Sequence, residues 1–134
     1  MKIARFLVAI LLALGAAACG SVSDPSNYVT ENFSDTLQPD GERSQGFTVG
    51  RAGEMQITLT SLSPVPRLGF LTIAVGLYSG TDCLALPGFV ILSAALNQQY
   101  SFPRVNPASY CIVITDINNV LTEPTAFSLR YLHP

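Results

Sequence analysis

The side chains best suited to metal binding, acid–base work or covalent chemistry are few in this chain: three cysteines, one histidine and nine acids among 134 residues. Cys19, Cys83 and Cys111 show no CxxC spacing and have no histidine close by in sequence, so they do not form a zinc-ligand pattern. His133 lies one residue from the end of the sequence, where chains fray. A Ser-His-Asp arrangement would require that end to be rigidly held, so the expectation for His133 is a solvated residue just past the last strand. Glycoside hydrolysis needs two carboxyls in one cleft. Glu31, Asp35, Glu54 and Asp116 lie in or near strand-like segments, nothing pairs them, and solvent-facing charge is expected of each. Asp35, Asp40, Gly41 and Glu42 supply the oxygen ligands and the glycine that calcium loops use. Their spacing matches no EF-hand, however, and an Asp-Gly turn needs no metal. No glycine-rich phosphate loop occurs. The expectation is a protein with no catalytic residues, no metal and no cofactor.

Cys19 belongs to a different chemistry. Lys2 and Arg5 precede an uninterrupted apolar run, Phe6 to Leu14, and the small residues Gly15 to Ala18 lead to Cys19. This is the order of an export signal. The apolar run is about half of the roughly 20 residues that span a bilayer. The segment resembles the signal of bacterial lipoproteins, in which small residues precede a cysteine that is lipidated on its thiol before cleavage. Ala16 stands where such signals favour Leu, and ordinary cleavage after Ala18 is the alternative, leaving Cys19 a free thiol. The resemblance implies residues 1–18 as signal peptide and a lipid on Cys19 as the membrane attachment. Gly20, where an Asp would hold the protein back, implies the outer membrane or its periplasmic face if the source has two membranes.

Removal of residues 1–18 leaves 116 residues, enough for one domain with a real core. Five arginines and no lysine then stand against nine acids, a net charge of −4. Such a surface has no electrostatic footprint for nucleic acid or anionic headgroups. Residues 19–27 are small and polar and read as a tether. Eight extended residues reach at most about 25–30 Å.

From residue 28 onward the pattern has period two. Met55, Ile57 and Leu59 alternate with polar residues; Leu71, Ile73, Val75 and Leu77 alternate with Thr72, Ala74, Gly76 and Tyr78. Tyr110, Ile112 and Ile114 share one face, as do Phe127, Leu129 and Tyr131. Shorter strands are expected at Glu31–Leu37, Gln45–Val49, Phe89–Leu96 and Gln98–Phe102, although a buried helical turn also fits Phe89–Leu96. Turn residues fall between the runs at Pro39-Asp40-Gly41, Ser79-Gly80, Pro87-Gly88 and Asn118-Asn119. About eight short strands imply an all-β antiparallel sandwich with jelly-roll or Greek-key wiring over residues 28–134.

Several of these strands resemble bacterial pre-peptidase C-terminal (PPC) domains: Glu31-Asn32-Phe33-Ser34-Asp35-Thr36-Leu37, Phe47-Thr48-Val49, Gly53 to Leu59, Ser109 to Ile114 and Phe127 to Tyr131. The resemblance covers Glu31 to His133. It implies a jelly-roll sandwich of the kind appended to secreted exoenzymes; no peptidase accompanies it in this sequence, and no ligand residue can be carried over. Gly80-Thr81-Asp82-Cys83 and Cys111 also fit single-domain secreted relatives of that kind.

With Cys19 set aside, Cys83 and Cys111 are an even pair in an exported chain, which suggests a disulfide. Closing their 27-residue loop is worth roughly 3–4 kcal/mol in the chain-entropy model. Two separately buried thiols are the alternative. Tyr28, Tyr78, Tyr100 and Phe102 are candidates for a sugar-stacking platform, with core packing the commoner role. The functional expectation is a lipid-anchored, non-catalytic module of the cell envelope. Its partners would be the membrane through Cys19 and an envelope protein or polysaccharide. The alternative is a carbohydrate- or protein-binding accessory module for a separately encoded exoenzyme.

Overall fold

In the computed structural model the described residues are 25–67 and 69–134. After one 3-10 turn at Pro25–Asn27 they form eight strands and no α-helix. The strands are β1 (Val29–Leu37), β2 (Glu42–Val49), β3 (Gly53–Ser63), β4 (Leu71–Ser79), β5 (Asp82–Ala94), β6 (Gln99–Val105), β7 (Ala108–Thr115) and β8 (Thr125–His133). They make two four-stranded sheets with the orders β1-β8-β3-β6 and β2-β7-β4-β5, and every strand pair is antiparallel. All eight expected strands are present, and Phe89–Leu96 lies mostly in a strand rather than a helical turn.

The period-two pattern explains how the sheets stack. Phe33, Leu37, Met55, Ile57, Leu59, Phe127, Leu129 and Tyr131 point inward from the first sheet. Phe47, Val49, Leu71, Ile73, Val75, Tyr110, Ile112 and Ile114 meet them from the second. Burying a side chain of this size stabilises a fold by about 1.5–3 kcal/mol. A one-residue slip in any strand would turn its whole row toward water, so the burial itself fixes the register.

Strand direction divides the connections between two ends. Tyr28 and Pro134 share one end with the 50–52, 80–81 and 106–107 connections. There the Gly50 N–H donates to the Pro134 carbonyl at 3.2 Å, and the Glu54 N–H to Tyr28 Oη at 3.3 Å. The opposite end carries the connections 38–41, 64–70, 95–98 and 116–124.

β5 departs most from the sequence reading. Pro87-Gly88 bends it without ending it, so Cys83 lies inside a strand rather than in a turn after β4. Opposite β4 the pairing steps from Ala74↔Val90 to Gly76↔Ala85, a wide bulge on β5. Gly88 takes up the bend with φ +82°. The bulge turns Phe89 inward, where it stacks on Phe102 of β6 with centroids 5.0 Å apart. Before the bulge, at its N-terminal half, β5 rides over the outer face of β4: a Cβ on Gly76 would collide with the Leu84 carbonyl. Only a glycine lets the backbones approach so closely. This crossing carries Cys83 past β4 to Cys111 in β7, and the two form a disulfide with Cα atoms 5.9 Å apart.

Candidate functional site

Cys83 and Cys111 are joined, and their bridge lies on the outer face of the second sheet, because Tyr110 and Ile112 on either side of Cys111 point inward. Cys19, the expected lipid site, lies outside the described residues, as do the expected signal peptide and most of the expected tether.

The polar groups concentrate at two places that the sequence reading did not anticipate. The first joins the edge strands β1 and β2. His133 is not solvated: it is the last residue of β8, 2% exposed, and continues the inward row of Phe127, Leu129 and Tyr131. Its Nε2 lies 2.9 Å from Glu31 Oε1. Tyr131 Oη donates to Glu31 Oε2 at 3.1 Å and accepts from Gln45 Nε2 at 2.8 Å. Gln45 Nε2 also reaches the Asn32 carbonyl at 3.3 Å. Phe47 packs against both rings, with centroids 5.1 Å from His133 and 5.2 Å from Tyr131. Burial, opposed by the hydrogen bond from Gln45 and reinforced by the Glu31 carboxylate, pushes the Tyr131 phenol up from 10.0 to about 12.

A carboxylate holding one imidazole nitrogen is half of a hydrolytic triad. The other half would be a hydroxyl or thiol at the second nitrogen. His133 Nδ1 is buried and has no hydrogen-bond partner among the described residues. The arrangement orients an imidazole and offers it nothing to activate. Its physical effect is to tie β1, β8 and β2 together. The continuing alternation 127-129-131-133 was the sequence signal that His133 points inward.

The second place is the end remote from Tyr28 and Pro134. Asp116, expected to face solvent, is 1% exposed and accepts three backbone N–H groups. Oδ1 takes that of Val120 at 2.7 Å; Oδ2 takes those of Leu121 at 3.2 Å and Asp40 at 3.1 Å. Asp40 and Asn119 both adopt left-handed backbone, φ 54° and 51°. One carboxylate thus pins the 116–124 connection to the β1–β2 turn. Asp35 does not join it in an ion site: it pairs with Arg43 at 3.3 Å. No cluster of three metal-ligating side chains occurs among the described residues.

Beside this pinned loop lies an open cleft of about 620 Å³, between the Pro64–Arg67 run and Val120–Glu123. Gly69, with φ +89°, allows the 64–70 connection to pack on Val120, which a Cβ there would strike. A second hollow of about 430 Å³ lies on the other side of the same connection, against Ala94–Leu96. Val65 and Phe70 line these hollows and are more than half exposed, as is Ile117 on the neighbouring 116–124 connection. Arg67 and Glu123 line the first cleft, and neither is in an ion pair among the described residues. Volume, apolar walls and a few unpaired polar groups are the usual attributes of a binding cleft.

The four aromatic residues considered for sugar stacking do not form a platform. Phe102 is buried on Phe89, and Tyr100 is held by the Ser93 carbonyl and the Ala95 N–H. Tyr28 sits at the chain-entry end, and Tyr78 lies over Gly46 on the outer face of the second sheet.

No protein-family model matches this chain, and no curated protein is significantly similar to it. The likeness to PPC domains therefore rests on the strand motifs alone.

Proposed function

We propose that this protein is an exported, lipid-anchored, non-catalytic β-sandwich that serves in the cell envelope as a binding or structural module. The observation that carries the reading is the Cys83–Cys111 disulfide. Such a bond persists in oxidising compartments outside the cytosol, and it agrees with the export signal that ends at Cys19. Jelly-roll wiring is part of the proposal; the strand orders β1-β8-β3-β6 and β2-β7-β4-β5 support it, and the PPC-like motifs imply the same fold. The buried, unpartnered Nδ1 of His133 favours a structural role for the one imidazole.

The binding face in this proposal is the cleft end. It lies opposite the end where the chain enters, so a tether at Cys19 leaves it free. A second reading is an accessory module for a separately encoded exoenzyme. Exposed Val65, Phe70 and Ile117 at that end favour a protein partner over a polysaccharide, since sugars are gripped by flat aromatic platforms.

Replacing the proposed anchor tests the reading directly. The wild-type protein is expected in the membrane pellet, its intact mass raised by a lipid, and Cys19→Ala in the soluble fraction. A Cys19→Ala protein as firmly membrane-bound as the wild type overturns the anchor.

A further inference from the structure

The outward face of the first sheet bears a row of polar side chains that the fold leaves unengaged. Arg130 sits mid-strand in β8, an interior strand of that sheet, between Leu129 and Tyr131 of the core. The alternation therefore turns it to solvent. Register sets Asn32 of β1 and Thr58 of β3 on either side of it, with Gln99 of β6 beyond Thr58. The next outward row is Thr30, Leu132, Gln56 and Ser101. Thr30, Gln56, Thr58, Gln99, Arg130 and Leu132 line a hollow of about 230 Å³.

Two observations separate this hollow from an ordinary polar surface. The first is hydrogen bonding. Elsewhere on the face, Ser34 Oγ bonds Ser128 Oγ at 2.7 Å, and Thr60 Oγ1 donates to the Ser128 carbonyl at 3.0 Å. In the hollow, the side chains of Thr30, Thr58, Gln99 and Arg130 have no hydrogen-bond or ion-pair partner among the described residues. The second is charge. Among the strand residues that face outward from this sheet the one acid is Glu54, which already accepts from Gln56 Nε2 at 2.8 Å. It lies four residues along β3 from Thr58, about 13 Å in an extended strand. A guanidinium without an acid partner thus stands among uncharged hydroxyls and amides, on a chain whose net charge is −4 after residue 18.

We infer that this hollow binds a sugar unit bearing a single negative charge, a carboxylate or a phosphodiester, within an acidic glycan. The guanidinium fork donates to two oxygens of such a group at once. Thr30, Thr58 and Gln99 supply the donors and acceptors that sugar hydroxyls require, and Leu132 gives the ring a short apolar wall. One arginine, with no lysine in the chain after residue 18, balances one charge; a doubly charged phosphate monoester would stay half-neutralised. The hollow is smaller than the roughly 300–1,000 Å³ of pockets for drug-sized ligands, so it takes one unit of a chain. No aromatic residue faces outward from these four strands, and the grip is therefore by hydrogen bonds and charge instead of stacking. The site is separate from the cleft end and does not require the lipid on Cys19.

Titration of the full protein, purified from cells in mild detergent, tests the inference. The probes are trigalacturonate, a glucose unit in phosphodiester linkage to glycerol, and their neutral counterparts, the methyl-esterified trisaccharide and a glucoside. At least one acidic probe is expected to bind and to shift the Arg130 Nε–H resonance, and its neutral counterpart to bind at least tenfold more weakly. Which acid binds identifies the source of the charge. Arg130→Gln, at an exposed position, should keep the melting temperature and weaken the acidic probe at least tenfold. Thr58→Val should weaken it several-fold, and Arg51→Gln, at the chain-entry end, should leave it unchanged. Binding of neither acid, equal binding of the neutral probe, undiminished affinity in Arg130→Gln, or an equal loss in Arg51→Gln overturns the proposal.

Discussion

The two lateral openings of the sandwich are closed by opposite chemistry. Along the β1–β2 side, polar groups reach across: Arg43 to Asp35, Gln45 to the Asn32 carbonyl and Tyr131, and His133 with Tyr131 to Glu31. Along the β5–β6 side, Phe89 stacks on Phe102, with Leu86 and Ala94 also packed into the core. Tyr100 Oη clamps Ser93 and Ala95 there as the main polar contact. The difference follows from connectivity. β1 and β2 are joined by a tight turn and diverge into separate sheets, so short directional bonds hold them at a set spacing. β5 and β6 are brought together by the bulge at Pro87-Gly88, which supplies an aromatic side chain to fill the gap. Charge lies along the edges of the first side, whereas the second side is filled from within and its β5 edge is irregular, with a register shift between Ile91 and Ala94.

This contrast predicts unequal sensitivity to substitution. Phe102→Ala empties the apolar side and should destabilise by about 3–5 kcal/mol, measured by denaturant unfolding. A loss below about 1 kcal/mol would mean that the aromatic stack is not what closes this side. On the polar side, Tyr131→Phe should cost about 1 kcal/mol at neutral pH. Its pH dependence is more telling. The folded phenol keeps its proton to about pH 12 and the unfolded one only to 10.0. The folded state therefore binds more protons across that interval, and wild-type stability should fall as pH rises from 10 toward 12. Tyr131→Phe should lack this component of the decline; an alkaline profile identical to wild type would remove Tyr131 as its source. Arg43→Ala is expected to have the smallest effect. Both members of the Arg43–Asp35 pair are more than 40% exposed, so under about 0.5 kcal/mol should be lost. A larger loss would make the ion pair a principal closure of the polar side.

The strands were legible because each half-buried strand writes its two faces into alternate letters, as at Met55-Gln56-Ile57-Thr58-Leu59. The cysteine pair was legible because its chemistry is tied to compartment and parity of number. What remained hidden was whatever depends on the facing element. Nothing in the letters around Asp116 shows that a turn seventy-six residues earlier sends the Asp40 N–H to it. Glu31 looks like surface charge until β8 is laid beside β1, where its register partner is Tyr131. The loop cleft was invisible for the same reason, since 64–70 and 116–124 meet only through the order of the strands.

Gly76 gives the disulfide a dependency that neither cysteine reveals. β5 reaches β7 only by lying on a strand that has no side chain at that point. Any other residue at 76 would lift β5 away and leave two thiols facing each other across a gap that neither can close. Positions 76, 83 and 111 therefore work as one unit: a side chain at 76 and the bridge between 83 and 111 compete for the same space above β4.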